Sequence, residues 1–254
     1  MDHPNPIPRL LKHPLRVSAV LQLTLRWIKA YFSAQEEVDA DDCTIVETAV
    51  DERIAPDAEG IYPYLFASIY AMYAGWIVLD RLPTRRYRRA RSAFLDLITE
   101  SRQIFVTHPT CMRDRERSDH PLLRYTQRVD GPTNCFPSLH VAITTLAYQI
   151  VRDQEELDPL LAAALRRACV DVCRSTLRTK QHAVVDVIGG FEIARRIFER
   201  NMEGRYEDLM PTVLPELSDD ELHAARVCCE NAEDVGALLR PLLEAFSRVP
   251  GASK

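Results

Sequence analysis

Apolar residues recur at helical spacing along almost the whole chain, and this periodicity constrains the fold more than any other feature of the sequence. The strict alternation of apolar and polar residues that is typical of half-buried strands is scarce. The sequence therefore predicts an all-α fold. Helices are expected at about residues 14–34, 62–80, 84–106, 137–152, 155–177, 181–201, 218–230 and 233–247.

The longest uncharged run, GIYPYLFASIYAMYAGWIVL, extends from Gly60 to Leu79 and at 20 residues just reaches the length that spans a bilayer. The other predicted helices carry repeated charges, as in SAFLDLITESRQIF, and each such charge near the bilayer centre costs about 2.5–3.5 kcal/mol. We therefore interpret the run as a buried central helix of a soluble protein. Its aromatic side chains leave room for peripheral contact with a membrane surface.

The charge balance and the cysteines exclude several classes of function. A formal net charge of -5 supplies no positive field for nucleic acid. Seven cysteines form an odd set without C-x-x-C spacing, which argues against a disulfide framework and a structural zinc site. We expect reduced thiols in a cytoplasmic protein, with no nucleic-acid partner and no metal or other cofactor.

The chain divides into three parts. Residues 1–50 are expected to form an N-terminal helix and an acidic loop, residues 51–200 a catalytic helical core, and residues 201–254 a helical tail packed on that core. The main tail helix starts at SDDE, Ser218 to Glu221, which has the spacing of a capping box.

Two short segments carry the residue types of a reactive site. NCFPSLHVA places Pro137 in the first turn of a predicted helix and His140 near its N-terminus, where free N–H groups favour a bound anion. STLRTKQHAVVDVIGG places His182 and Asp186 four residues apart, on one face of a predicted helix. There the carboxylate can accept a hydrogen bond from one ring nitrogen and make the other a better nucleophile. With His140 as proton donor to a leaving oxygen, the two histidines suit phosphoryl transfer without a metal.

These two segments, in this order and at this separation, resemble the type 2 phosphatidic acid phosphatase superfamily, especially the branch that includes inositolphosphorylceramide synthases. Three longer stretches also look like segments of that branch: DERIAPDAEGIYPYL, IFVTHPTCMR and LLRYTQRVDGPTNCFPSLHVA. The resemblance covers roughly residues 50–195. It implies an antiparallel helical bundle of the kind found in that superfamily, here in a soluble form.

The resemblance also implies roles for individual residues. Ser138 and His140 would bind the phosphate and donate a proton, His182 would attack phosphorus, and Asp186 would orient His182. Ser175, which opens the S-x6-H-x3-D segment, would add a further contact to the phosphate.

Two departures from the family pattern concern positive charges. The superfamily's third segment has arginine directly after its serine, whereas this chain has Thr176, as that branch often does. Arg178 or Lys180 would then supply the missing contact to phosphate. The basic first segment, a lysine followed seven residues later by Arg-Pro, is not intact. Arg113 in HPTCMRD is its best match, ahead of Arg102.

The expected function is that of a metal-independent phosphatase or phosphotransferase, which acts on a lipid-like or prenyl phosphate or diphosphate through a phosphohistidine intermediate. Such a substrate is amphiphilic, and aromatic residues of the uncharged run are candidates for an apolar channel as well as for the core. This set comprises Tyr62, Tyr64, Phe66, Tyr70, Tyr73 and Trp76.

Two alternatives remain open. A terpene synthase or cyclase would use the same diphosphate site to ionise or cyclise a prenyl diphosphate, and a non-catalytic protein would only bind lipid phosphates. The stretch DADD, Asp39 to Asp42, has the D-x-D-D pattern of protonating terpene cyclases, although it is also typical of an acidic loop. No D-D-x-x-D metal cluster accompanies it, which counts against an ordinary ionising cyclase.

Overall fold

The computed structural model describes residues 14–39, 42–112, 118–152 and 157–247. These residues are mostly helical, which confirms the prediction of an all-α protein. The helices are α1 (Pro14–Glu37), α2 (Ile61–Arg81), α3 (Thr84–Thr107), α4 (Pro121–Val129), α5 (Leu139–Arg152), α6 (Pro159–Arg178), α7 (Val184–Asn201), α8 (Met210–Val213), α9 (Asp219–Asn231) and α10 (Leu239–Ser247). Three short 3₁₀ helices cover Asp51–Arg53, Ala58–Gly60 and Gly236–Leu238.

The long helices lie close to their predicted positions, but two short ones were not predicted. Helix α4 has nine residues and α8 has four, too few for a helical period to stand out from the sequence. The capping box at the start of α9 is confirmed. Ser218 Oγ accepts a hydrogen bond from the backbone N–H of Glu221, whose carboxylate accepts one from the N–H of Ser218.

A two-stranded parallel sheet joins the segment after α1 to the segment after α3. Strand β1 is Thr44–Ile45 and strand β2 is Thr110–Cys111, and Cys111 also forms an antiparallel bridge with Thr133. Strands of two residues carry no alternation that sequence analysis could detect. The sheet holds the chain next to the loop that leads into α5.

Helix α7 is the centre of the core. Its residues from Val184 to Ala194 are all buried, and it packs on α5, α3, α10 and α6. A helix that is buried on every side needs neighbours all round, and α7 obtains them from these four helices.

Helix α2 is less central than the sequence predicts. One of its faces packs on α5 and α6, with Tyr64, Tyr70 and Ala74 buried. Its opposite face presents large apolar side chains that are 40–56% exposed, namely Tyr62, Leu65, Phe66, Ile69 and Tyr73. The interpretation of Gly60 to Leu79 as the buried central helix was therefore wrong. An uncharged run does not reveal which helix the others surround. Within the described residues, no helix is both long enough and apolar enough to cross a bilayer.

The segment after α7 is tied to the core by Glu207. Its carboxylate accepts hydrogen bonds from Tyr148 on α5 at 2.6 Å, Arg152 on α5 at 2.7 Å and Arg166 on α6 at 2.8 Å. Burial raises the pKa of Glu207, but the hydrogen bonds from Tyr148 and Arg166 outweigh burial, so the pKa lies below its ordinary value. The ionised carboxylate therefore helps to hold this segment against the bundle.

Candidate active site

The first site segment begins helix α5 with a side-chain cap. Ser138 Oγ accepts a hydrogen bond from the backbone N–H of Val141 at 3.4 Å, which satisfies one of the free donors of the first turn. Pro137 was predicted in the first turn of the helix, but it lies outside the helix, before the capping residue Ser138. The Phe136–Pro137 peptide bond is cis. His140 is thus the second residue of α5.

The second site segment is a turn between α6 and α7. The carbonyl oxygen of Thr176 accepts hydrogen bonds from the backbone N–H groups of Gln181 and His182, and Lys180 takes a left-handed backbone conformation with φ of 52°. The prediction that His182 belongs to the helix was wrong, because α7 begins at Val184. The turn holds the imidazole just before the helix N-terminus.

Asp186 lies in the first turn of α7 and is completely buried. Its Oδ2 atom accepts a hydrogen bond from the backbone N–H of Ala183 at 2.8 Å and lies 3.4 Å from His182 Nδ1. The contact with His182 is close enough for an ion pair, but the hydrogen-bond geometry is poor. Among the described residues neither His182 Nδ1 nor Asp186 Oδ1 has a hydrogen-bond partner. The hydrogen bond that the sequence predicts between His182 and Asp186 is therefore not formed in this structure, although the two groups lie next to each other.

The two site segments are joined directly. The backbone N–H of Ser138 donates to the carbonyl oxygen of Asp186 at 2.9 Å. This approach is possible because Gly189 and Gly190 have no side chains. A Cβ atom at Gly190 would lie 2.7 Å from the Ser138 carbonyl oxygen, and one at Gly189 would lie 2.4 Å from the Phe136 ring. The glycine pair that follows Asp186 therefore lets the start of α5 rest on α7.

The two histidines face each other across this junction. Their ring centroids are 5.9 Å apart at an interplanar angle of 60°, and the His182 side chain is 8% exposed. His182 directs Nδ1 toward Asp186, and His140 directs Nδ1 toward the hydroxyl of Tyr64 at 3.4 Å. In each ring, Nε2 is therefore the nitrogen on the side away from these contacts.

Two residues next to His140 were not predicted as part of the site from the sequence. The Tyr64 ring lies on the His140 ring at a centroid distance of 4.3 Å, and the Tyr64 hydroxyl donates to Asp130 at 2.6 Å. Tyr64 was considered only as a core or channel residue, and Asp130 was not considered, although both fall in segments that carry the family resemblance. A tyrosine and a distant aspartate have no spacing that identifies them as partners.

The candidate phosphate-binding cations occupy different settings. Lys180 Nζ donates to the carbonyl oxygens of Asp51 at 2.9 Å and Ile54 at 2.7 Å, which leaves one of its three hydrogens for a ligand. Arg178 is about half exposed, and its guanidinium lies 3.8 Å from the carboxylate of Asp57. Both cations therefore have protein partners before any substrate binds.

The remaining candidates are less directly connected to the histidines. Ser175 is buried and donates its hydroxyl hydrogen to the carbonyl oxygen of Val172, and Thr176 does the same to that of Cys173. Any contact of Ser175 with phosphate would require this hydrogen bond to break. Arg113 lies outside the described residues.

A cleft of about 290 Å³ opens beside the turn between α6 and α7. Arg178 and Lys180 line it together with Asp57 and Asp119, so its walls carry both signs of charge. Arg102, the weaker match to the basic first segment, lies on α3 in an ion pair with a glutamate of α1. The cleft is thus an opening that both candidate cations of the turn share.

A buried carboxylate supports the start of α7 from outside the two segments. Asp51 Oδ1 accepts a hydrogen bond from the backbone N–H of Val184 at 2.7 Å, and Oδ2 accepts hydrogen bonds from the N–H and hydroxyl of Thr48. Burial raises the pKa of Asp51 above its ordinary value, and the nearby charge of Asp186 adds to this. Two carboxylates therefore share the N-terminal end of α7, where the helix dipole favours negative charge.

The described part of the chain offers no cluster of metal ligands. Among the described residues, no three His, Cys, Asp or Glu side chains are grouped so as to hold a metal ion. No two of the seven cysteines, all within the described residues, form a disulfide. Cys169 is fully buried, which raises the pKa of its thiol well above the ordinary value and keeps it protonated.

Comparisons with protein-family models, curated proteins and solved structures gave no match to this chain. The resemblance to the type 2 phosphatidic acid phosphatase superfamily thus remains an expectation from the quoted motifs. The function must therefore be inferred from the chemistry and geometry of the site itself.

Proposed function

We propose that this protein is a metal-independent phosphatase or phosphotransferase that acts on a lipid-like or prenyl phosphate or diphosphate through a phosphohistidine intermediate. The observation that carries the proposal is the pair of facing imidazoles, His140 and His182, with the buried carboxylate of Asp186 behind His182. Two histidines with different partners suit one nucleophile and one acid. We also propose that the helices of this protein form the antiparallel bundle of the type 2 phosphatidic acid phosphatase superfamily.

In the first step, His182 Nε2 attacks phosphorus and forms an N–P bond, while the bond from phosphorus to the leaving oxygen breaks. His140 gives its Nε2 proton to that oxygen, so the alcohol or phosphate leaves neutralised. Asp186 stabilises the positive charge that develops on the His182 ring. In the second step, neutral His140 takes a proton from water or an acceptor alcohol, whose oxygen attacks phosphorus and releases His182.

The phosphate oxygens need donors at the same place. Ser138 lies at the N-terminus of α5, where backbone N–H groups and the helix dipole favour an anion. The third hydrogen of Lys180 and the half-exposed guanidinium of Arg178 are the described cations nearest to the turn that carries His182. Arg113 remains a candidate from the sequence.

The surface of α2 supports the proposal that the substrate has an apolar part. The helix that places Tyr64 against His140 exposes five large apolar side chains on its opposite face. Such a surface is suited to peripheral contact with a membrane, where amphiphilic phosphates reside. We propose that the reaction takes place in the cytoplasm, a location that the reduced cysteines support.

The test is a substrate panel with purified protein. Farnesyl diphosphate, geranylgeranyl diphosphate, phosphatidic acid and p-nitrophenyl phosphate are incubated separately with EDTA or with magnesium. Released phosphate and organic products are both followed. We expect release of phosphate and of the alcohol from at least one lipid-like substrate in EDTA. An acid-labile phosphoryl group should be trapped on the wild type and be missing from His182→Asn, whereas His223→Asn, at an exposed position of α9, serves as the matched control.

Other outcomes would contradict the proposal in identifiable ways. A cyclised or rearranged hydrocarbon would indicate the terpene cyclase alternative. Saturable binding of the same compounds without turnover of any would indicate a lipid-phosphate binding protein.

A further inference from the structure

The surroundings of His140 form a chain of three side chains from three separate parts of the fold. Tyr64 comes from α2, Asp130 follows α4, and His140 belongs to α5. Asp130 Oδ2 accepts the hydroxyl hydrogen of Tyr64 at 2.6 Å, and the Tyr64 hydroxyl oxygen lies 3.4 Å from His140 Nδ1. Tyr31, from α1, donates its hydroxyl to the other carboxylate oxygen of Asp130.

The hydrogen positions in this chain follow from the chemistry of its groups. An ionised carboxylate only accepts hydrogen bonds, so both phenols must direct their single hydrogens at Asp130. The Tyr64 oxygen therefore meets His140 Nδ1 as an acceptor. A hydrogen bond across this 3.4 Å contact needs an N–H group on the ring, so the geometry favours the tautomer with its hydrogen on Nδ1.

We propose that Asp130 and Tyr64 are positioning residues that hold the proton of neutral His140 on Nδ1, so that Nε2 is the atom that gives and takes the catalytic proton. The role in catalysis rests on the proposed function, whereas the tautomer of His140 does not. When His140 is doubly protonated, its Nε2–H bond breaks and the leaving oxygen gains the hydrogen, while Nδ1–H stays on Tyr64. The His140 ring is then neutral and has its hydrogen on Nδ1, which is the tautomer that the contact with Tyr64 favours.

The burial of Tyr64 supports this role. Tyr64 is 3% exposed, and its ring lies 4.3 Å from the His140 ring at an angle of 33°, so stacking and the Nδ1 contact together restrict the imidazole. Asp130 thus acts on the imidazole through the phenol of Tyr64, whereas in other enzymes a carboxylate fixes a catalytic imidazole directly.

The first test is independent of activity. Long-range ¹H–¹⁵N spectra of the histidine rings report which ring nitrogen of a neutral imidazole carries the hydrogen, and His140→Gln assigns the His140 signals. We expect wild-type His140 with its hydrogen on Nδ1, and Tyr64→Phe with a shift toward the Nε2–H form. Tyr73→Phe, at an exposed position on the same helix, should match the wild type. A wild-type His140 with its hydrogen on Nε2 would overturn the inference.

The second test separates a positioning role from a structural one. Tyr64→Phe should lower kcat for an alkyl or prenyl phosphate by about tenfold, the change expected from one hydrogen bond, with KM nearly unchanged. Hydrolysis of p-nitrophenyl phosphate should hardly change, because its leaving group needs no proton. Asp130→Asn should follow the same pattern. Equal losses on both substrates would indicate a structural role and contradict the inference. If the wild type hydrolyses neither substrate, the proposed function fails while the spectra still decide the tautomer.

Discussion

Ser138 donates its backbone N–H to the carbonyl oxygen of Asp186 at 2.9 Å, and this single bond joins the two segments that carry the candidate catalytic residues. It brings the N-terminal ends of α5 and α7 together, and with them the rings of His140 and His182. Both ends concentrate backbone N–H groups. At α7 the carboxylates of Asp51 and Asp186 already accept such bonds, so the start of α5 is the end that suits a bound anion beside the imidazoles.

The junction should be sensitive to a single methyl group. Gly190→Ala would place Cβ 2.7 Å from the Ser138 carbonyl oxygen and 2.9 Å from Val141 Cβ, so α5 must move away from α7. We expect a loss of about 1–3 kcal/mol in the free energy of unfolding, measured by urea denaturation. Gly60→Ala is the milder comparison, because its Cβ would meet a threonine methyl at 3.2 Å. A Gly190→Ala protein as stable as the wild type would show that the close approach is not required.

Substitutions at the three central residues should rank by role. His182→Ala should lower kcat by about 10⁴-fold or more, because the nucleophile is lost. His140→Ala should lower it by about 10²–10⁴-fold for substrates whose leaving group needs a proton. Asp186→Asn should lose less than His182→Ala, because the amide oxygen can still accept the hydrogen bond from Ala183 N–H. Steady-state kinetics with circular dichroism as the folding control checks the order, and near-normal turnover by His182→Ala would rule out the phosphohistidine.

Asp51 should make stability depend on pH in a direction opposite to that of a salt-bridged carboxylate. Burial raises its pKa in the folded protein, so this contribution to stability is fully present below the unfolded pKa, near 3.8, and is lost as pH rises through the folded value. Asp51→Asn lacks this dependence and also turns an amide donor toward the N–H of Thr48 or Val184, at a cost of about 1–3 kcal/mol.

The measurement for Asp51 is the difference in the free energy of unfolding between the wild type and Asp51→Asn, from about pH 4 to pH 7. Because the other titrating groups are common to both proteins, their contributions largely cancel in the difference. The stability advantage of the wild type should shrink as pH rises. An advantage that grows with pH would contradict the raised pKa.

Lys180→Met tests the two roles of one amine. The substitution keeps the apolar stem but removes the donors to the carbonyl oxygens of Asp51 and Ile54, and we expect the free energy of unfolding to fall by about 1.5–3 kcal/mol. If the third hydrogen binds phosphate, KM rises as well, whereas a purely structural amine leaves KM unchanged. Lys29→Met, at an exposed position on α1, is the matched control and should alter neither quantity.

Local patterns in the sequence predicted much of the fold. Helix α3 was expected at about 84–106 and is Thr84–Thr107, and the capping box at Ser218 forms as its spacing predicts. Such features depend on residues three or four positions apart, which any window of the sequence contains. The nearness of His182 to Asp186 belongs to this group, although a turn rather than a helix holds the imidazole.

Contacts between distant segments were decided by the tertiary structure alone. Which helix is central could not be predicted, because α2 is the more apolar in sequence but α7 is the one that four neighbouring helices cover. The partners of Lys180 and of Tyr64 could not be predicted either, since a lysine near phosphate-binding motifs and a tyrosine in an apolar run look the same whatever they contact. The sequence by itself therefore determined the helices and the candidate reactive groups, because these depend on short-range spacing. Only packing decided that Asp130 reaches Tyr64 and that His140 faces His182, because those contacts join separate elements of the fold.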